Sequence, residues 1–258
     1  MTIQLNEIPQ LFQERIGKIH HAWSPKQGWT SNVVVLESNN GRYVIKRANH
    51  PRYKHWLKNE AEILQALEET ALPTPKFYDS YITENETWVL MSYIEGIPLR
   101  QAIAETEHRE KLIVEFGKIA RALHRSPVPK IFDQNVNWLS VQLHKAEVDH
   151  LKYGSDDGSP ELLETLKNNR PNPVAQTLIH GDFTVDNVLV NGDKIVGIID
   201  WSGGAFGDPR YDLALAIRPK EVIFENETDK QIFFKAYGAD PITEDEFLYF
   251  EEGLYSFF

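Results

Sequence analysis

A chain of 258 residues with no cysteine excludes a disulfide framework and any thiolate metal site, and it is long enough to bury a substantial core as one domain or two lobes. Its 38 acidic residues against 27 basic ones leave a formal charge of −11; that argues against a nucleic-acid surface, which needs clustered Lys and Arg, and is compatible with a cationic small substrate. No apolar run approaches the roughly 20 residues that span a bilayer, and residues 1–7 lack the basic and apolar regions of a secretory signal, so a soluble cytoplasmic protein is expected.

In chain order, residues 3–17 carry the pattern of a short amphipathic helix. Gln27-Gly28-Trp29-Thr30-Ser31-Asn32 reads as a loop, and residues 33–38 and 42–46 as a hairpin turning at Asn40-Gly41. A loop in that place can cover nucleotide phosphates with backbone N–H and hydroxyl groups, although a single glycine is a weak signal. No Walker-type G-x-x-x-x-G-K-[ST] occurs, which excludes a P-loop fold. Tyr43-Val44-Ile45-Lys46 has the pattern of a strand whose Lys holds the α- and β-phosphates. The helical stripe of residues 54–69 runs through Trp56, Leu57, Ile63, Leu64 and Leu67. Glu60 falls on that apolar face and Glu62 on the polar one. A carboxylate facing the core must find a partner or neutralise, and Lys46 is the natural partner for Glu60.

Residues 76–82 and 87–94 form a further strand pair, after which Gly96 and Pro98 mark a break. Backbone groups of Ser92 and Ile94 at this hinge suit an adenine edge. From residue 107 the character is helical, with a core stripe of Leu112, Phe116, Ile119 and Leu123 ending at Pro127; His124 reads as a packed, hydrogen-bonded residue. Helical patterns over 138–151 and Pro160–Asn168 flank a polar loop. Asp208 before Pro209 has the form of a helix N-cap, and Asp212 is expected to brace a nearby loop. The tail from 228 to 258 is helical and aromatic.

The chemistry concentrates in residues 178–200. Two apolar runs, 188–190 and 195–199, flank Asn191-Gly192, a dipeptide suited to a tight hairpin. His180-Gly181-Asp182, followed by Asn187, has the H-x-D-x-x-x-x-N spacing of a phosphoryl-transfer loop, and Asp200 stands where a metal-binding Asp follows. A lone loop Asp is ordinarily a turn residue; here the spacing and the hairpin argue together for chemistry. Mg²⁺ prefers carboxylate, amide and water oxygens, which Asp200 and Asn187 supply, while Asp182 suits an attacking hydroxyl.

On His180-Gly181-Asp182 to Asn187, Gly197-Ile198-Ile199-Asp200-Trp201 and Gly207-Asp208-Pro209-x-x-Asp212-Leu213-Ala214, the chain resembles the aminoglycoside phosphotransferase and choline-kinase-like superfamily. The resemblance covers nearly the whole chain. It implies an α+β, two-lobed protein-kinase-like fold with a small antiparallel-sheet N-lobe over 1–92 and a mainly helical C-lobe over 93–258. It also implies ATP or GTP, Mg²⁺, and transfer of phosphate to a hydroxyl of a small molecule such as an aminoglycoside or another cationic compound. By position, Asp182 resembles the base, Asn187 and Asp200 the metal ligands, and Lys46 and Glu60 the phosphate clamp. Thr30, Ser31, Ser92, Ile94 and Ile199 fall among the nucleotide contacts. One departure concerns the acceptor: aminoglycoside-modifying members end in an acidic pair, whereas residues 253–258 are uncharged in their side chains and Glu251 and Glu252 lie out of register. Choline-like amines, amino alcohols and sugars stay open as acceptors, as does a nucleotide-binding module without turnover.

Overall fold

The computed structural model describes residues 3–25, 30–154 and 157–258. The chain forms two compact units, Met1–Glu95 with Gly197–Gly203, and Gly96–Val196 with Gly204–Phe258.

The first unit is built on a five-stranded antiparallel sheet of β1 (Ile19–Trp23), β2 (Asn32–Ser38), β3 (Gly41–Ala48), β4 (Phe77–Ile82) and β5 (Thr87–Ser92), in the order β1-β2-β3-β5-β4. The β2–β3 hairpin closes with Ser38 opposite Gly41, as the Asn40-Gly41 pair predicts. Side chains alternate across a strand, so Val34, Leu36, Tyr43, Ile45, Trp88 and Leu90 share one face. There they bury Phe12 and Ile16 of α1 (Gln10–Ile16). Alternation then puts Lys46 on the opposite face, where α2 (Pro51–Leu67) packs on β3, β4 and β5.

One expectation for this unit needs correction, and one strand has no counterpart in the sequence pattern. The helix over 3–17 is split: a 3₁₀ turn at Leu5–Glu7 is separated from α1 by Pro9, whose ring and missing N–H do not allow an unbroken helix. Strand β1 escapes the sequence pattern because its three central residues, His20, His21 and Ala22, are all exposed on a sheet edge.

The second unit is mainly helical. Its helices are α3 (Leu99–Glu105), α4 (Arg109–His124), α5 (Trp138–Tyr153), α6 (Pro160–Asn168), α7 (Pro209–Ala216), α8 (Glu227–Tyr237) and the short α9 (Glu244–Phe247). Small sheets link β6 (Ile97–Pro98) with β8 (Val188–Asn191) and β9 (Lys194–Ile198), and β7 (Thr177–Ile179) with β10 (Ala205–Gly207). Helix α3 is absent from the sequence reading although Leu99, Ala102 and Ile103 form its buried stripe; Pro98, read there as a breaker, is its N-cap. Asp208 caps α7 by accepting the N–H of Arg210. The aromatic tail folds as α9, a π-helical turn (Leu248–Gly253) and a 3₁₀ turn (Leu254–Phe257), burying Phe250, Leu254 and Phe257 against Leu163, Leu166 and Tyr211.

Helices α4 and α8 pack closely because Gly117 has no side chain; a Cβ there would collide with the Phe233 carbonyl oxygen. The same pair is stapled by Arg109, whose guanidinium donates to buried Asp229 (2.5 Å from one nitrogen) and to the carbonyl of Val222 (2.9 Å). Asp229 also accepts the N–H of Phe224 at 2.9 Å, and Val222 and Phe224 both have left-handed backbones. Burial raises the Asp229 pKa, but the Arg109 and Phe224 bonds outweigh it and hold the carboxyl below its ordinary value. A depressed folded-state pKa means stability that is present above the unfolded value of 3.8 and lost as pH falls through the folded one. Asp229→Asn is therefore expected to cost about 2 kcal/mol in urea unfolding at pH 7, with the difference from wild type disappearing in acid.

Candidate active site

In the first unit, two periodicities meet at Lys46. The strand period directs its amine to the α2 side of the sheet, and the helix period buries Glu60 on the face of α2 that covers it. The amine donates to both Glu60 oxygens, at 2.7 and 2.9 Å, and to Oδ1 of Asp200. All three N–H donors of the ammonium are thereby used. Burial lowers the Lys46 pKa, yet the Asp200 and Glu60 carboxylates reverse this and hold it above its ordinary value, so the amine stays charged. Burial raises Glu60, an effect that the Lys46 charge reduces but does not cancel. Glu62 instead forms an exposed pair with Lys58.

Asp200 has a left-handed backbone, φ 64°, a conformation that costs a non-glycine residue roughly 1 kcal/mol or more. The turn after it is pinned on several sides. Trp201 is fully buried and donates its indole N–H to the Ile198 carbonyl at 2.8 Å, and Asn59 donates to the Ser202 carbonyl at 2.7 Å. Ile198, the residue before Ile199, donates its N–H to Pro73 at 2.7 Å. Asp200 leaves this frame with its carboxylate half exposed. The three charged groups sum to one negative charge beside an accessible hard oxygen, an arrangement suited to a divalent cation accompanied by phosphates.

Of the hinge residues, Ser92 uses its N–H on the Lys76 carbonyl (2.9 Å) and its hydroxyl oxygen on the Lys76 N–H (2.8 Å). Its side chain thus fixes β5 to the segment before β4. Ile94 lies against Gly197, where a Cβ would meet Ile94 Cδ1 at 2.8 Å. Thr30 is exposed and Ser31 half-buried immediately before β2; Gln27, Gly28 and Trp29 of the same loop lie outside the described residues.

In the second unit, the segment from His180 to Asn187 forms a compact loop between β7 and β8. The backbone N–H groups of His180 and Gly181 donate to Asp212, at 2.7 and 2.8 Å. Asp212 is fully buried on α7 and takes a third contact from His124 Nε2 at 3.2 Å, while His124 Nδ1 meets the Tyr237 hydroxyl at 2.9 Å. Asp212 and His124 are thus bracing groups. Phe183 stacks on Phe116 (5.0 Å between centroids), which fixes the loop from below.

Asp182 is half-buried in this loop. The Asn187 amide nitrogen donates to its backbone carbonyl (2.9 Å) and to its Oδ2 (2.7 Å). This commits the amide N–H₂ to Asp182, so the amide oxygen is the acceptor that the side chain has left to offer. Oδ1 of Asp182 accepts the Tyr255 hydroxyl at 3.0 Å. Tyr255 is a residue that the sequence reading missed: 73 positions separate it from Asp182, and nothing in the aromatic tail marks it out. Glu251 forms an ion pair with Arg218.

A kinase-like fold and a pinned Asp–Asn loop define a phosphotransferase class, and comparison with known proteins agrees. Residues 24–247 match the model of the phosphotransferase enzyme family. The chain belongs to that family and is a small-molecule phosphotransferase. It is 25% identical over 255 residues to an aminoglycoside 3'-phosphotransferase of Streptomyces fradiae, covering 90% of this chain and 94% of the relative. A homoserine kinase of Neisseria meningitidis is 34% identical over 92 residues, 34% of this chain and 30% of the relative. Among solved structures, an aminoglycoside-3'-phosphotransferase of type VIII superposes with a TM-score of 0.79 at 22% identity, covering 98% of this chain and 99% of that one. Aminoglycoside phosphotransferase APH(3'')-Id of Streptomyces rimosus, solved with ADP and streptomycin, gives 0.75 at 20% identity and covers 99% of both. Among the described residues, no helix is long and apolar enough to cross a membrane.

Proposed function

We propose that the chain transfers the γ-phosphate of ATP to a hydroxyl of a small, soluble acceptor, with Asp182 receiving or orienting the acceptor proton. The observation that carries this reading is the Asp182 carboxylate, anchored at one oxygen by Asn187 and at the other by Tyr255. A carboxylate held in one plane is suited to aligning a hydroxyl for in-line attack.

Lys46 is assigned to the α- and β-phosphates, with Glu60 holding the amine in place. Phosphate oxygens competing for that amine would release Asp200 Oδ1. Asp200 and the amide oxygen of Asn187 are assigned to Mg²⁺, which when bound neutralises charge on the phosphates. Thr30, Ser31, the Ser92 carbonyl, the Ile94 N–H and Ile199 are assigned to the nucleotide. GTP in place of ATP is the alternative donor, and a cytoplasmic setting, where both are abundant, belongs to this reading.

For the acceptor, the aminoglycoside relatives favour a polyhydroxylated, cationic compound. A second reading, a smaller amino alcohol, is favoured by the homoserine kinase match and by the tail, where the Glu251 and Glu246 carboxylates are engaged by Arg218 and Arg210 rather than offered to the amines of a polycationic acceptor. Release of ADP from MgATP across streptomycin, gentamicin, homoserine, choline and glucose tests the proposal. Turnover above the water rate with one hydroxylated acceptor supports it. Nucleotide binding with no turnover across a wider panel of such acceptors would make the chain a nucleotide-binding module instead.

A further inference from the structure

Tyr255 is held more firmly than a surface phenol needs to be. It sits on the 3₁₀ turn Leu254–Phe257, flanked by Leu254 and Phe257, whose side chains are 0% and 2% exposed. The turn is brought into place by Gly253, where a Cβ would meet Leu166 Cδ2 at 2.7 Å. The Arg218 guanidinium lies 4.5 Å from the centroid of the Tyr255 ring and is itself fixed by its ion pair with Glu251. The buried Tyr211 ring lies 6.4 Å away on another side. The ring is thus packed by Arg218 and Tyr211, and its hydroxyl donates to Asp182 Oδ1.

We propose that Tyr255 is a positioning residue for the transfer step. Its hydroxyl fixes the plane of the Asp182 carboxylate against the Asn187 amide, and with it the orientation of the group assigned to the acceptor hydroxyl. The inference rests on Asp182 being the group that handles the acceptor. A carboxylate held through one oxygen can still rotate about its terminal bond, which is a soft torsion; a second donor on the other oxygen stops that rotation. Burial, reinforced by the Asp182 charge, raises the Tyr255 pKa well above its ordinary value, so the phenol keeps the proton that it donates.

The test compares wild type, Tyr255→Phe, Asp182→Asn and the double variant. Turnover is read as ADP release from MgATP with whichever acceptor of the panel above gives the highest wild-type rate, or with water where none exceeds it, and is normalised to the folded fraction. Tyr255→Phe keeps the ring and its packing. It is expected to lower kcat about 10-fold, the effect of one hydrogen bond to a charged group, with KM for MgATP and the thermal midpoint unchanged. In the Asp182→Asn background the same change is expected to add no further loss, because the two residues act through one group. Wild-type or faster turnover per folded Tyr255→Phe molecule would overturn the inference, as would an equal loss in both backgrounds or a change in KM alone. If Asp182→Asn itself turns over normally, the assignment of Asp182 fails first, which separates the two outcomes.

Discussion

Asp182→Asn is expected to abolish transfer, with a loss on the order of 10³-fold, the scale of a general base, while MgATP binds as to wild type. The change is isosteric and exchanges one carboxylate oxygen for an amide nitrogen. In wild type the Asn187 amide donates to one oxygen and the Tyr255 hydroxyl to the other; an amide can accept only one of the two. The substituted side chain therefore loses its basicity, and its bond to Tyr255 survives only with the amide donating and the hydroxyl accepting. The Lys46–Glu60–Asp200 group belongs to the other compact unit and is untouched, so calorimetric titration with MgATP should give an unchanged dissociation constant. Undiminished turnover would show that proton handling belongs elsewhere.

Lys46→Met is expected to damage both stability and nucleotide binding. It leaves Glu60, 3% exposed, without its cation, and an orphaned buried charge costs about 3–5 kcal/mol. It also removes the amine assigned to the phosphates, with a loss in turnover on the order of 100-fold, typical of a single electrostatic contact in the transition state. The two effects can be separated by adding Glu60→Gln. Neutralising the orphan should recover much of the urea-unfolding free energy and none of the turnover. Recovery of both would mean that Lys46 serves only as the partner of Glu60.

The sequence made some parts of this site readable because a period encodes them. Lys46 and Glu60 each occupy a definite phase of a strand and a helix, so their meeting follows from two local patterns. Asp208 and Pro209 form a cap at adjacent positions, and the 180–187 loop keeps its working groups within eight residues. Tyr255 was unreadable for the opposite reason. Its contact with Asp182 depends on a π-helical turn, on the missing side chain of Gly253 and on Leu254 and Phe257 being buried together, none of which has a periodic signature. The split at Pro9 and helix α3 had signals that were available, a proline and a three-residue apolar stripe. Strand β1 had none, since its exposed His-His-Ala centre lacks the alternation that identifies a half-buried strand.

Phosphorus NMR of MgATP incubated with the enzyme and its best acceptor tests the central claim most directly. Transfer to a hydroxyl predicts that the γ-phosphate signal is replaced, one for one with ADP, by a new phosphate monoester that is absent with Asp182→Asn. Inorganic phosphate in place of that monoester, or a phosphorylated nitrogen, would contradict it.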